Sequence, residues 1–229
     1  MAVVGLGGPG RRVAPFRPSA NEDRLPPSGA QGRARANLAV IRLIDELRAQ
    51  GRDATAAERD GVLARWSGWG ACPELFDEQR AEWAEERAEL ASLVGEDGYA
   101  EARRTTLNAH YTHPEIAAAM WDVARRLGVA RGRALEPGCG AGVFIGLAPE
   151  GMEMVGVELD GTTATIVQEL YPDARIVNRS FAENSRGLTA GSFDLTIGNV
   201  PFGKVSLYDP QYNRAGHSIH NHFIVKAWR

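Results

Sequence analysis

The stretch TIGNVPFG, residues 196–203, places Asn199, Val200, Pro201 and Phe202 directly after the apolar run FDLTI, which reads as a short buried strand. A carboxamide, a rigid proline and an aromatic ring at the carboxyl end of a strand stand where open α/β sheets put their ligands. Read alone, the same residues also make an ordinary strand-ending turn. A second cluster lies upstream in LEPGCGAGVFIG, where Gly138, Gly140 and Gly142 let the backbone turn tightly and approach a ligand just ahead of a helix N-terminus. The dinucleotide spacing G-x-G-x-x-G is not met, because counting from Gly138 or Gly140 ends on Val143 or Ile145. Instead Glu136 leads the turn, and a carboxylate there suits a ligand carrying an ammonium or sulfonium while repelling a pyrophosphate. Glu158 ends the apolar stretch MVGVELD roughly twenty residues further on, the separation at which an acid takes a ribose diol. Either acid alone could be a solvated loop residue. Two of them, each at a strand end, favour an adenosyl ligand.

Elements that could position these residues are legible around them. After LNAHYTHPE, helices alternate with strands: AAAMWDVARRLG, then RALEPG, GVFIGLA, MVGVELD, TATIVQELY, ARIVNRS and FDLTIGN. Such alternation predicts a parallel sheet of four strands wrapped by helices, an α/β fold. Residues 34–104 read as a helical region. Leu38, Ile41, Ile44 and Leu47 share one face and Gly51 stops that helix; Thr55 and Glu58 have capping-box spacing for a second helix through Leu63 and Trp66. In EQRAEWAEERAELASLV, Trp83, Leu90 and Leu93 point inward. These helices are expected to be scaffold, without chemistry of their own. Residues 1–33 lack apolar periodicity and read as a flexible arm.

The chain of 229 residues is 44% hydrophobic and so can bury a sizeable core, yet no run approaches a membrane span and the first residues make no convincing secretory signal. A cytoplasmic location and no membrane partner are expected. A net charge of −3 announces no global nucleic-acid binder and leaves a local basic face open. Cys72 and Cys139 form neither a metal pattern nor a disulfide framework, and His217, His220 and His222 lack carboxylate or cysteine partners at metal spacing, so no metal is expected.

Taken together, LEPGCGAG resembles the cofactor loop of class I S-adenosylmethionine-dependent methyltransferases, VGVELD their ribose-binding acid, and NVPF the catalytic Asn-Pro-Pro-Tyr/Phe tetrapeptide of the amino methyltransferases. HYTHPEI resembles the segment that in the adenine-N6 group precedes the glycine motif and closes over the methionine end of the cofactor. More specifically, NLAVIRLIDEL through RWSGWG, LNAHYTHPEI and NVPFG to SIHNHFIVKA resembles the methylase region of methylase-helicase proteins of plasmids, phages and other mobile elements, which also connects it with restriction-modification. The methyltransferase resemblance covers residues 105–229. It implies a Rossmann-like sheet; S-adenosylmethionine held by Tyr111, Thr112, Glu136, Pro137, Gly138, Gly140, Gly142, Glu158, Leu159, Ser180 and Phe181; and methyl transfer to N6 of an adenine swung out of duplex DNA. An associated or fused helicase is implied as partner.

That chemistry accounts for the tetrapeptide. An exocyclic amine is a poor nucleophile because its lone pair is delocalised, so a site must accept its N–H groups; the Asn199 carboxamide oxygen and the Val200 carbonyl are paired acceptors on a turn that Pro201 fixes, and Phe202 can stack on the base. Val200 stands where the family has proline, and Ser180 where it often has aspartate. The same tetrapeptide fits glutamine-N5 protein or RNA amino methyltransferases, and a non-catalytic cofactor or DNA-binding module of a helicase is a further alternative. Because the family's sheet has seven strands and four are found here, the chain is expected to hold the N-terminal half of the sheet, with an unpaired edge on the fourth strand and little activity alone.

Overall fold

The computed structural model describes residues 16–19, 26–106, 112–183 and 188–228. Among them the chain folds as an α/β unit with a parallel sheet in which β1 (Gly132–Pro137) is flanked by β2 (Met152–Glu158) and β4 (Leu195–Thr196), and β3 (Arg175–Asn178) lies outside β2. The order β3-β2-β1-β4 is that of a Rossmann-like, doubly wound sheet, and its switch point falls between β1 and β4. Apolar side chains on these short runs make the strands: Ala134 and Leu135 of β1 and Met154, Val155 and Val157 of β2 are all buried.

Helix α4 (Pro114–Arg126) precedes β1, opened by Pro114 at its first turn and by His113, whose Nδ1 accepts the Glu115 N–H at 3.3 Å. A single turn, α5 (Val143–Gly146), follows β1, and α6 (Gly161–Leu170) follows β2 with Asp160 as N-cap, its Oδ1 accepting the Thr163 N–H. Helix α7 (Ile219–Ala227) follows β4. No described helix is long and apolar enough to cross a membrane.

The helical region consists of α1 (Ala30–Gln50), α2 (Ala56–Gly61) and α3 (Ala84–Thr105), joined by short 3₁₀ turns. Leu38, Ile41, Ile44 and Leu47 are buried together on α1, which ends on left-handed Gly51, and the Thr55–Glu58 capping box is formed. A buried Asn37 shapes the WSGWG connection, accepting the Ser67 N–H at 2.9 Å and donating to the Gly68 carbonyl at 2.9 Å. Trp66, Trp69 and Phe76 then stack edge to face at 5.6 and 5.9 Å.

The fold departs from the sequence reading at several points. Helix α1 begins at Ala30, inside the stretch that reads as arm, and the arm residue Phe16 is buried: its N–H donates to the Leu170 carbonyl at 3.2 Å and its ring lies 6.3 Å from that of Tyr171. A phenylalanine with few apolar neighbours in sequence still finds a hydrophobic seat on another element. The rest of the arm, residues 1–15 and 20–25, lies outside the described residues. The second helix stops at Gly61 and passes into a 3₁₀ turn before Trp66, and α3 is two helical runs across Gly95, whose φ of 69° breaks the ladder. Strand β4 is only two residues long, although Asp194 and Ile197 extend its ladder by donating to the Arg133 and Leu135 carbonyls at 2.8 and 3.0 Å. Among the described residues it pairs with β1 alone.

The helical region is fastened to α6. Trp66 Nε1 donates to Thr163 Oγ1 at 3.1 Å, Arg59 Nε to the Glu169 carbonyl at 2.5 Å, and the Ala54 N–H to Glu169 Oε2 at 3.0 Å. Trp66 is 1% exposed. Trp66→Ala is therefore expected to destabilise the fold by about 3–5 kcal/mol and Trp66→Phe, which keeps most of the buried ring, by much less. Urea unfolding measures both; a loss near zero for Trp66→Ala would mean that the helices and the sheet do not depend on each other.

Candidate functional site

The glycine turn after β1 runs through three left-handed residues, Gly138 (φ 69°), Gly140 (φ 50°) and Gly142 (φ 72°). They are not equivalent. A Cβ at Gly142 would stand 2.7 Å from the Tyr171 ring and 3.0 Å from Val167, so this glycine serves packing against Tyr171 and α6. Gly138, by contrast, is exposed, with Pro201 Cδ 3.7 Å and Phe223 Cε1 3.5 Å from where its Cβ would be. The turn after β1 and the loop after β4 thus lie close across the switch point.

Two acids hold the centre. Glu158 is half-buried, and its two oxygens accept the Gly140 N–H at 2.9 Å and the Asp160 N–H at 2.8 Å, which ties the glycine turn to the end of β2. Burial pushes its carboxyl above the usual range, with these backbone donors opposing. Each oxygen keeps a lone pair for a further donor. Glu136 is 3% exposed and its Oε2 has no partner. Burial pushes the Glu136 carboxyl well above the carboxylate range; the Ile145 N–H opposes this and the charge of Glu158 adds to it. Between the acids, the buried Cys139 thiol is also pushed well up by burial and by both carboxylates. Its N–H donates to the Val157 carbonyl at 2.9 Å.

These groups line one cavity of about 600 Å³, within the range of small-molecule sites. Of the residues expected from the sequence, Thr112, Glu136, Gly138, Gly140, Glu158, Leu159, Ser180, Phe181, Asn199, Val200, Pro201 and Phe202 lie on its wall. Pro137 and Gly142 do not, and Tyr111 lies outside the described residues. Phe181 is buried and packs on Phe223 at 4.9 Å; the Ser180 hydroxyl accepts the Ala182 N–H at 3.2 Å. Asn199 is exposed, and Phe202 is 67% exposed with its ring 6.1 Å from that of His220. An exposed phenylalanine at a cavity mouth offers a free aromatic face.

Residues without a sequence signal complete the wall. Trp66, Trp69, Glu101 and Arg104 come from the helical region, which therefore closes the cavity and is more than scaffold. Asp160, which caps α6, and Tyr171 also contribute. The N-cap position of Asp160 is readable from LDGTTA; the approach of α3 to the cavity is not, because Glu101 and Arg104 look like any solvated helix face. Glu101, Glu136, Glu158 and Asp160 outnumber the lining arginines, Arg104 and Arg179, so the cavity suits a ligand with positive charge. His222 does have a carboxylate partner, Asp209, at 3.0 Å, a tertiary pairing that no metal spacing would reveal. No group of three or more metal-ligating side chains occurs among the described residues.

No protein-family model matches the chain. Over 119 residues it is 33% identical to the defense against restriction protein B of Escherichia phage P1, a match that takes in 52% of this chain and 5% of that protein. Among solved structures it is similar to the type I restriction-modification system methyltransferase subunit of Streptococcus thermophilus, at 15% identity and a TM-score of 0.46 over 87% of this chain and 53% of that one. It is also similar to a TehB-like SAM-dependent methyltransferase of Corynebacterium glutamicum, at 25% identity and a TM-score of 0.28 over 38% of this chain and 54% of that one. The chain spans about a twentieth of the phage protein and about half of each of these solved chains.

The Glu136 carboxyl makes a signed prediction for the protein without ligand. An acid whose pKa is raised by folding contributes stability that is complete below its unfolded value and is lost as pH rises through the folded value. Stability should fall by up to ~1.4 kcal/mol per pH unit across that window, and Glu136→Gln should remove this dependence. Urea unfolding from pH 5 to 8 checks it; parallel curves for the two proteins would mean that Glu136 is solvated.

Proposed function

We propose that the chain is the cofactor-binding and catalytic-tetrapeptide portion of a DNA methyltransferase that carries a methyl group from S-adenosylmethionine to the exocyclic N6 of adenine, as part of a larger methylase-helicase. The observation that supports this best is that the acceptors of the tetrapeptide line the same cavity as Glu136 and Glu158, with Pro201 Cδ 3.7 Å from where a Gly138 Cβ would stand. The names of the phage protein and of the restriction-modification subunit agree with a DNA-linked role.

The residues fit the cofactor. The unpartnered Glu136 Oε2 asks for a positive group or a donor, and Glu158 has lone pairs left for ribose hydroxyls. Gly138 and Gly140 let the backbone come close, Pro137 and Gly142 shape the turn from behind, and Thr112 takes the methionine end. Leu159, Ser180 and Phe181 receive the adenine end. When bound, S-adenosylmethionine supplies an electrophilic methyl group on a sulfonium.

The chain's own part in transfer is to hold the acceptor amine. The Asn199 carboxamide oxygen and the Val200 carbonyl accept its two N–H groups, which draws the nitrogen lone pair out of the base's π-system. Pro201 keeps the two acceptors in fixed relation, and Phe202 stacks on the extruded base.

Incubation of the chain, alone and within its longer parent, with labelled S-adenosylmethionine and mixed DNA, RNA and protein should place label in N6-methyladenine of DNA. Label in RNA or in a protein glutamine would overturn the substrate. Asn199→Ala should lower transfer on the order of 10²–10³-fold and leave cofactor affinity by calorimetry unchanged, because its side chain addresses the amine. Cofactor affinity should rise with pH through the raised pKa of Glu136, since only the charged carboxylate attracts the sulfonium, and Glu136→Gln should flatten that profile.

A further inference from the structure

From Leu195 to Trp228, the segment that carries the tetrapeptide, the one acidic residue is Asp209, and it is 2% exposed. Its Oδ2 meets His222 Nε2 at 3.0 Å and Lys226 Nζ at 3.1 Å, and its Oδ1 accepts the Gln211 and Tyr212 N–H groups at 3.1 and 3.0 Å. This segment, whose Gly203, Val205 and Leu207 line the cavity, therefore shows no exposed carboxylate, whereas its Lys204 and Arg214 are exposed. In a chain of net charge −3 this is a local reversal of sign, and its complement is a polyanion.

The loop between Phe202 and α7 is also built to hold one shape. Long loops without secondary structure are seldom ordered unless they have a function. Here Asp209 fixes one bend. Asn213 fixes another: its Nδ2 donates to the Leu207 and His217 carbonyls at 2.8 and 3.2 Å and its Oδ1 accepts the His217 N–H at 2.7 Å. The Ile219 N–H donates to the Val205 carbonyl at 2.8 Å and closes the base. On this frame Val205 and Leu207 line the cavity while the next residue, Tyr208, is 88% exposed. With Phe202, which is 67% exposed, Tyr208 gives this segment two bare aromatic rings. Aromatic side chains among cations are what a nucleic-acid strand meets when its bases stack and its phosphates pair.

We propose that residues 203–218 form a preassembled DNA-docking platform at the cavity mouth, on which Tyr208 stacks on a base neighbouring the extruded one and Lys204 and Arg214 take the adjoining phosphates. The proposal rests on the DNA reading above for its partner, but not on the chemistry at adenine. Arg214 has its Nε tied to the Pro210 carbonyl at 2.7 Å, which orients the guanidinium while leaving its other donors for phosphate.

The test is fluorescence anisotropy of the full chain with a labelled, adenine-containing DNA duplex at several salt concentrations. Changing both Lys204 and Arg214 to Gln should reduce the slope of log affinity against log salt by about 1.8, at roughly 0.9 for each phosphate no longer neutralised. Tyr208→Ala should weaken binding on the order of 10- to 100-fold with the salt slope unchanged. Calorimetric affinity for S-adenosylmethionine should be the same in all variants, since none of these residues lines the cofactor end. Unchanged DNA affinity and slope in both variants would overturn the platform even if N6-methyladenine is formed. The expected changes, together with label found elsewhere than adenine, would uphold the platform and overturn the reaction. Effects seen on RNA of the same sequence and not on DNA would overturn the choice of partner.

Discussion

The Glu136 carboxyl is enclosed at the tip of the central strand with one oxygen unpartnered, and much of the site answers to that arrangement. A buried carboxylate without a partner is costly, so enclosure raises this group's pKa and favours its neutral form until a positive partner offsets that cost. Its neighbours make room for it. A Cβ at Gly198 would lie 3.3 Å from Glu136 Cγ, so the end of β4 can pass beside β1 because that position is glycine. The same closeness delivers Asn199 and Pro201 to the glycine turn. One acid thus sets both the charge preference of the cavity and the spacing between its two halves.

What the sequence makes legible is what backbone geometry and charge demand locally. Gly138 and Gly140 take φ values that other residues avoid, Glu136 and Glu158 end apolar strands, and the Asn-Val-Pro-Phe run interrupts one; each is a local signal with a local cause. Gly142 shows the limit of that reasoning, since its left-handed turn is real but the close neighbour is Tyr171, far along the chain, and no ligand. The apolar run FDLTI predicts a longer strand than the two-residue β4: only Leu195 and Thr196 pair with β1, although β1 itself runs from Gly132 to Pro137.

The wall supplied by Trp66, Trp69, Glu101 and Arg104 belongs to a different kind of information. Their spacing fits an ordinary helical core and its solvated face, and their place at the cavity follows from the bonds that seat the helical region on α6, chiefly Trp66 to Thr163. Asp209 and His222, thirteen positions apart on a loop and a helix, likewise meet through tertiary folding that no periodicity encodes. Phe16 crosses most of the chain to reach Leu170. Long-range closure of this sort is set by surplus apolar area and by which hydrogen-bonding groups would otherwise be stranded.

Cys139 stands inside the glycine turn and lines the same cavity as the two acids. Sulfonium ions alkylate thiolates readily, so a reactive thiol at this place would turn the protein into its own substrate. Burial and the two carboxylates push the thiol well above its ordinary range and keep it protonated, and its sulfur is packed toward Gly156, where a Cβ would come within 2.8 Å of it. Under the proposed methyl transfer, the acids that would attract a cationic methyl donor are therefore the same groups that hold the neighbouring thiol protonated, so one set of charges would serve both binding and protection.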